Sequence, residues 1–420
     1  MKLLADNYTT VFESPDPQAY ATYSPSICAC ADGRLVATLD LCRDMASATG
    51  HKLSPDARHG KVFTSDDGGA TWQHQCDYPF IEARVFVAGD DLYALGNYGG
   101  EGQGDMAIMR SSDRGETWTD PLVLFEGLRW HLTPCNTLYA NGCVYFGVEK
   151  RCAEDVEGWA VSILSPILMR AEIGSDLLKE ESWTLSSDFM FRDHVDMDTI
   201  DFSGIPFFPF DSGGPRWIHK WDCCMVPPGW LETNVVQFLD PDHCWHDPAG
   251  RIFHLWMRAH TGRTNLAAIA KVVEHEDGSM TTSLETAPSG KRLVYVPCPG
   301  GQLKFFIEYD AETGLYWMVA NQSTDSMVRP DRMPAGRHGS PDNERNRLGL
   351  HFSRNCVDWC FAGLIAKGES ETESRHYPSM AIHGENLVVL SRSGDHRARS
   401  AHDGNLITCH IVEQFRELVY

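Results

Sequence analysis

Residues 65–72 read Ser65-Asp66-Asp67-Gly68-Gly69-Ala70-Thr71-Trp72, and residues 111–118 read Ser111-Ser112-Asp113-Arg114-Gly115-Glu116-Thr117-Trp118. Both fit S-x-D-x-G-x-T-W, and the two copies start 46 residues apart. The pattern has a local physical logic. Asp67 and Asp113 accept backbone N–H groups inside a tight turn, Gly69 and Gly115 supply a positive φ, and Trp72 and Trp118 open a strand and pack between sheets. The spacing suits one four-stranded blade of a β-propeller. A degenerate third copy, one residue shorter and lacking the Gly, is Ser353-Arg354-Asn355-Cys356-Val357-Asp358-Trp359, and Ser182-Trp183 reads as a remnant.

The chain on either side of these turns also reads as β-structure. Arg84–Leu95, Thr137–Val148, Ile252–Met257, Leu303–Tyr309, Leu315–Val319 and Ser379–Val389 alternate or run apolar, with Asp/Gly/Asn turns between them. Asp90-Asp91, Asn141-Gly142 and His383-Gly384 are predicted hairpin turns. One short helix is predicted near Ser175–Glu181. The expectation is an all-β, six-bladed propeller in a single domain, with blades near 20–75, 80–122, 130–188, 215–290, 292–362 and 374–415. A division into seven blades is the alternative. A strand near Tyr8–Glu13 is expected to complete the last blade and close the ring, which leaves no free sheet edge. Segments 189–214 and 323–347 read as long insertions.

Composition sets the outer bounds. The chain has 420 residues, 42% hydrophobic and 22% charged, with 12 Trp, 13 Tyr and 19 Phe to build a core. Its formal net charge of −22 disfavours nucleic-acid binding, which needs a basic footprint. No apolar run approaches a membrane span, and the N-terminus has no secretory h-region. The expectation is a cytoplasmic protein whose 14 Cys are reduced, mostly buried thiols. No cofactor and no metal is expected. His243-Cys244-Trp245-His246-Asp247 has metal-like residues, but it falls in an Asp-Pro turn and fits no structural-site spacing.

Candidate site residues follow from propeller geometry, because the inner strand of each blade starts at the central channel. The predicted starts are Tyr23-Ser24-Pro25-Ser26, Glu82-Ala83-Arg84, His131-Leu132-Thr133-Pro134, Glu232-Thr233-Asn234, Pro297–Gln302 and Arg375-His376-Tyr377-Pro378-Ser379. The ends of the following strands add Asp40 with Arg43, Asn97, Glu149, Arg258 with His260, and Arg392. Alternation puts Arg258 and His260 on one face. The catalytic candidates are Asp40, His131, Glu232, His376 and Tyr377. The substrate-binding candidates are Arg43, Arg84, Asn234, Arg258, His260, Gln302, Arg375 and Arg392. Asp40 and Arg43 read equally as a structural ion pair, His131 and His376 as core histidines, and Tyr377 as packing. Arg345-Asn346-Arg347 reads by default as a solvated basic face, with rim contacts to an anionic sugar as the alternative.

The repeated turns resemble the Asp-box repeats of the sialidase superfamily. That resemblance implies a propeller with the boxes on the face opposite the active site. It also implies three Arg for a substrate carboxylate, an Asp acid/base and a Tyr–Glu nucleophile pair. The first family Arg belongs to a Tyr-Arg-Ile-Pro stretch opening the first blade. The matching stretch here is Tyr23-Ser24-Pro25-Ser26, so Ser24 stands where that Arg stands in the family, and the chain departs from a typical sialidase.

Convergent Arg, His, Tyr and carboxylate side chains suit sugar chemistry. The first expectation is an exo-acting glycoside hydrolase on an acidic or deoxy sugar at the end of an oligosaccharide, with Glu232 and Asp40 as its carboxylates. A uronate-directed lyase using His131, His376 and Tyr377 is the second. A non-catalytic glycan-binding propeller is the third.

Overall fold

The protein was analysed as a computed structural model that describes residues 2–43, 58–99, 104–154, 160–196, 216–218, 223–225, 228–261, 265–329, 332–333 and 343–420. Most of the two predicted insertions, at 197–214, 330–331 and 334–342, lies outside the described residues, as does 100–103 of the Gly-rich stretch after Tyr98.

Six antiparallel sheets form the six blades of a propeller. From the channel outward, blade 1 is Ala21–Ala29, Leu35–Cys42, Arg58–Ser65 and Gln73–Tyr78; blade 2 is Ile81–Ala88, Asp91–Tyr98, Asp105–Ser111 and Leu122–Leu124. Blade 3 starts with the broken inner strand Trp130–His131 and Leu138–Ala140, followed by Cys143–Arg151, Leu164–Glu172 and Trp183–Leu185. Blade 4 is Gly229–Val236, Ile252–His260, Leu266–Glu274 and Met280–Ser283; blade 5 is Phe306–Asp310, Leu315–Asn321, Arg347–Ser353 and Cys360–Lys367. Blade 6 takes Arg375–His383, Asn386–Ser393 and Leu406–Val412 from the end of the chain and Thr9–Glu13 from its start. That last pairing closes the ring as the sequence predicts.

The core lies between blades rather than within one centre. Leu35, Ala37, Leu39 and Phe63 of blade 1 pack on Val388, Leu390, Ile407 and Cys409 of blade 6. Phe86, Leu95, Met106 and Ile108 of blade 2 pack on Phe146, Ile167, Met169 and Trp183 of blade 3. Each blade thus buries two faces, which is why its strands run apolar instead of alternating with polar residues.

The two repeated turns are built alike, bond for bond. Asp67 accepts Thr71 N at 2.8 Å and Thr71 Oγ1 at 2.6 Å, Gly69 N donates to Ser65 Oγ at 2.9 Å, and Trp72 Nε1 donates to Gly69 O at 3.1 Å. Asp113, Thr117, Gly115, Ser111 and Trp118 repeat the set. In the degenerate third copy Asn355 replaces the Asp, accepting Val357 N and Asp358 N at 3.0 and 2.8 Å. The predicted helix near Ser175–Glu181 does not form. The segment makes turns and a 3₁₀ turn at Glu180–Ser182, and Leu177 is held under Trp183, whose Nε1 donates to Leu177 O at 3.0 Å. Of the predicted hairpin turns, Asn141-Gly142 has two positive φ values, 52° and 72°, as a primed turn requires. The turn predicted at Asp90-Asp91 falls one residue earlier, at Gly89-Asp90, because Ala88 pairs with Asp91. Among the described residues no helix is long and apolar enough to cross a membrane.

Candidate active site

The channel mouth repeats one piece of backbone around the ring. In blades 1, 2, 4 and 6 the inner strand carries a bulge, between Tyr23/Ser26, Ile81/Arg84, Leu231/Asn234 and His376/Ser379. The residue at each bulge has positive φ: Ser24 46°, Glu82 54°, Glu232 61° and Tyr377 54°. Non-glycine residues avoid this region unless their surroundings impose it, and such strain concentrates at functional sites. Two residues further on, a polar side chain bonds the next blade. Ser26 Oγ accepts Val85 N at 3.2 Å, Arg84 Nε donates to Cys135 O at 2.9 Å, and Asn136 Oδ1 accepts Val235 N at 2.7 Å. Asn234 Oδ1 accepts Ile307 N at 3.0 Å, and Ser379 Oγ accepts Ile27 N at 3.2 Å. The same register places Pro134 of blade 3 and Lys304 of blade 5 in the ring with Ser24, Glu82, Glu232 and Tyr377.

A second ring supports the first. The second strand of a blade ends on a polar side chain that grips the next blade. Asp40 accepts Glu82 N, Asn97 Nδ2 donates to Trp130 O at 2.6 Å, and Glu149 Oε1 accepts Thr233 N at 2.9 Å. Arg258 Nε donates to Gln302 O at 2.8 Å, and Asn321 Nδ2 donates to Arg375 O at 2.9 Å. Blade 6 ends on Arg392, whose guanidinium lies 4.7 Å from the Tyr23 ring centroid. Blade 3 approaches blade 4 closely enough that a Cβ on Gly147 would stand 2.3 Å from Thr233 Cγ2.

Glu232 and Tyr377 meet in the middle of this arrangement. Tyr377 Oη donates to Glu232 Oε1 at 2.6 Å, and Arg258 Nη1 donates to the same oxygen at 3.3 Å. Glu232 is 1% exposed, and its Oε2 has no hydrogen-bond partner among the described residues. Burial, then Glu232 and Glu82, push the Tyr377 phenol far above its ordinary value. Arg392 lies 4.4 Å from the Tyr377 ring centroid. Arg345 is buried, and Arg392 and Arg258 are the next causes after burial of the downward push on its guanidinium. Three guanidinium groups are therefore gathered beside one Tyr–Glu pair, in a protein with a net charge of −22.

The remaining sequence candidates fall into two groups. His376 is fully buried, with Arg345 Nη1 2.8 Å from Nδ1 and Arg392 Nε 3.3 Å from Nε2. A neutral imidazole accepts at only one nitrogen, so the shorter contact is the hydrogen bond. Burial and the flanking Arg392 and Arg345 hold it neutral, and it orients arginines rather than facing the mouth. His131 bonds Glu149 at 2.8 Å through Nδ1, and Glu149 also accepts Thr233 Oγ1 at 2.5 Å, so this pair braces the residue after Glu232. Asp40 is fully buried, takes Glu82 N on both oxygens, and sits 3.9 Å from Arg58, which lies 3.8 Å from Glu82. Burial raises its pKa to about 7 despite Arg58. The carboxylate brought to the mouth beside Glu232 is thus Glu82, with Asp40 beneath it.

Arg84 and Asn234 are spent on blade junctions, and Arg84 also donates to Thr133 O and Gly147 O at 3.0 Å each. Arg375 donates to Ser374 O and Gly394 O at 2.7 Å each and lies 5.1 Å from the Tyr8 ring centroid, away from the Tyr–Glu pair. Gln302 supplies its carbonyl to Arg258, and His260 is buried and held neutral by burial and by Arg258. Arg43 is exposed, with its carbonyl accepting Arg399 Nη1 at 3.3 Å.

Arg58 and Lys304 escaped the sequence reading, Arg345 was not among its site candidates, and Glu82, named at a predicted inner-strand start, was not among its catalytic candidates. Arg345 reads as a surface cluster but is 5% exposed. The blade 5 start predicted at Pro297–Gln302 lies too early, because the strand begins at Phe306 and Lys304 is the ring residue. The signal available was the polar residue two positions after each bulge. The metal-like His243–Asp247 stretch is a turn, with the His243 ring stacked 3.8 Å from Phe238 and its Nδ1 accepting Trp245 N at 3.0 Å, and among the described residues no group of three or more His, Cys, Asp or Glu could hold a metal ion.

No protein-family model matches the chain, and no curated protein matches it in sequence. Solved structures do share its fold. The α-L-arabinanase of Penicillium chrysogenum is 11% identical, with 99% of each chain covered and a TM-score of 0.52. The intramolecular trans-sialidase of Ruminococcus gnavus is 11% identical over 95% of this chain and 96% of that one, with a TM-score of 0.53. The sialidase of Trypanosoma rangeli is 12% identical over 98% of this chain and 60% of that one, with a TM-score of 0.54. At these identities the likeness establishes the architecture alone: the chain has the β-propeller fold that these sialidases and the arabinanase share.

Proposed function

We propose that the protein is an exo-acting glycoside hydrolase that releases an acidic sugar from the end of an oligosaccharide. The observation that carries this reading is the 2.6 Å bond from Tyr377 Oη to Glu232 Oε1 beside the guanidinium groups of Arg258, Arg345 and Arg392. The enzymes that share the fold act, by their names, on arabinan or sialic-acid linkages.

In this reading the arginines hold the sugar carboxylate, since guanidinium forks match carboxylates geometrically. A bare carboxylate nucleophile would be repelled by that anion, whereas a neutral phenol is not. Tyr377 Oη attacks the anomeric carbon and its proton passes to Glu232. The glycosidic oxygen leaves with a proton from Glu82. Water then attacks the anomeric carbon with Glu82 as base, the bond to Tyr377 breaks, and Glu232 returns the proton. Asp40 and Arg58 lie beneath Glu82. Two carboxyl groups and one guanidinium share that buried place, which favours one proton between the carboxyls near neutrality.

The test is a screen of uronate- and sialate-capped oligosaccharides, read for new reducing ends and for the ultraviolet absorbance of an unsaturated product. New ends without absorbance, lost in Glu232→Gln, are expected. Ends with absorbance mean a lyase, and silence across the panel returns the protein to a glycan-binding role. The cytoplasmic location expected above belongs to the same proposal: imported oligosaccharides would be its substrates.

A further inference from the structure

The reaction just described leaves one buried charge unused. Lys304 is 0% exposed and takes the blade 5 place in the mouth ring. Its ammonium donates to Pro378 O, the carbonyl directly after Tyr377. It lies 5.4 Å from the Tyr377 ring centroid and 5.3 Å from that of Phe306. Arg392 lies over the same tyrosine ring at 4.4 Å. Tyr377 therefore meets two cations through its ring and one carboxylate through its hydroxyl, while its backbone stays at a φ of 54°.

We propose that Lys304 is a positioning residue of the Glu232–Tyr377 pair: while protonated, it clamps the Pro378 carbonyl and the Tyr377 ring and so holds the left-handed turn that presents the phenol. A bulky residue leaves that conformation when the contacts imposing it are removed. The cation also steadies the tyrosine ring electrostatically as its oxygen gains negative character. Loss of the lysine proton removes the charge and weakens both contacts together.

The proton is within reach of mildly alkaline solution. Burial pushes the Lys304 ammonium down to about 8, against the pull of Cys135 and Glu232 and with the push of Arg84 and Arg392. Those groups come from blades 3, 4, 2 and 6, and Tyr377 is the further titratable group against its ammonium. The sign follows directly. The lysine is charged below about 8, where the pair is held, and neutral above it, where the pair is released.

The catalytic consequence rests on the hydrolase reading, but the coupling does not, so the test has two arms. In the first, protein labelled with ¹³C at lysine Cε is titrated by NMR, and the resonance missing in Lys304→Arg identifies Lys304. We expect its midpoint about two units below exposed lysines and lower still in Glu232→Gln, where the attracting carboxylate is gone. Titration together with the surface lysines, or a midpoint indifferent to Glu232→Gln, overturns the proposal whether or not any sugar is cleaved. In the second arm, once the screen yields a substrate, kcat/KM of the wild type should fall on the alkaline side with that NMR midpoint. Lys304→Arg, which keeps its charge, should lose that limb, and Lys304→Met should lower kcat roughly 10–100-fold with KM little changed. An alkaline limb that persists unchanged in Lys304→Arg overturns the proposal, while absence of any turnover overturns the hydrolase reading and leaves the NMR arm to decide the coupling.

Discussion

Asp40 accepts the backbone N–H of Glu82 on both carboxylate oxygens, at 3.0 Å each, across the junction between blades 1 and 2. This fixes the left-handed turn that carries Glu82 to the mouth. It also buries a carboxyl whose pKa rises from 3.8 to about 7. A folded-state value above the unfolded one means that the native protein binds the extra proton between those limits. Stability from this group is therefore highest in acid and declines as pH rises from about 4 to 7. Asn at position 40 stays neutral throughout. Urea unfolding of wild type and Asp40→Asn across that range should give curves that diverge by a few kcal/mol, on the order set by the shift. Parallel curves would refute the assignment.

The Tyr377–Glu232 bond predicts matched losses. Tyr377→Phe removes the attacking oxygen, and Glu232→Gln removes the base that takes its proton. Each should lower kcat by roughly 10²–10⁴ on the released sugar, and the double variant should be little worse than either, because the two act as a unit. Circular dichroism and melting should report a retained fold in Tyr377→Phe, which removes only the hydroxyl bonded to Glu232. Additive losses in the double variant would separate the two residues and break the mechanism.

Arg392 should set the demand for an acid on the sugar. Its guanidinium is stacked between Tyr23 and Tyr377, at 4.7 and 4.4 Å, which fixes its plane. It enters from blade 6 against Tyr23, one residue before Ser24, where the sialidase resemblance would put an arginine. Arg392→Ala should raise KM for a carboxylate-bearing substrate by about 10–100-fold, the worth of one charge-assisted pair, and leave a methyl-ester analogue nearly unaffected. Equal losses for acid and ester would assign Arg392 to packing alone.

Much of this arrangement is legible in the sequence. Two S-x-D-x-G-x-T-W turns fix the blade period, and the period locates the inner strands. Tyr23-Ser24-Pro25-Ser26 and His376-Tyr377-Pro378-Ser379 can then be seen as the same bulge in blades 1 and 6. Strand position singles out Glu232 and Tyr377, yet nothing in the sequence says that residues 145 positions apart share a bond. The burial of Arg345 is not legible, because a basic triplet looks like a surface feature until the chain folds it against His376. Arg84 and Arg375 carry the right chemistry but turn to backbone carbonyls, since a buried guanidinium takes whatever acceptors its blade junction offers. Strand position decides which face of the ring a residue reaches; the neighbouring blade decides what it does there.

The repeated turns supply the control for all of these variants. Ser65 ends the third strand of blade 1 and pairs with Leu35 at the start of the second strand, whereas Asp40 at the mouth lies near the end of that second strand. The turn is therefore on the face opposite the site, and the same holds for Ser111, which pairs with Leu92 in blade 2. Hydrogen bonds from Thr71, then Ser65, hold Asp67 at about 2, and Thr117 does the same for Asp113. A depressed folded-state value means stability that is complete above the ordinary carboxylate range and lost as pH falls toward 2. Asp67→Ala and Asp113→Ala should each cost roughly 1 kcal/mol at neutral pH, add in the double variant because they sit on different blades, and differ less from wild type near pH 2. Turnover of any substrate found should be unchanged in both. A fall in kcat/KM without a fall in melting temperature would show that the far face of the propeller communicates with the channel mouth, and would require a role for these turns beyond closing a blade.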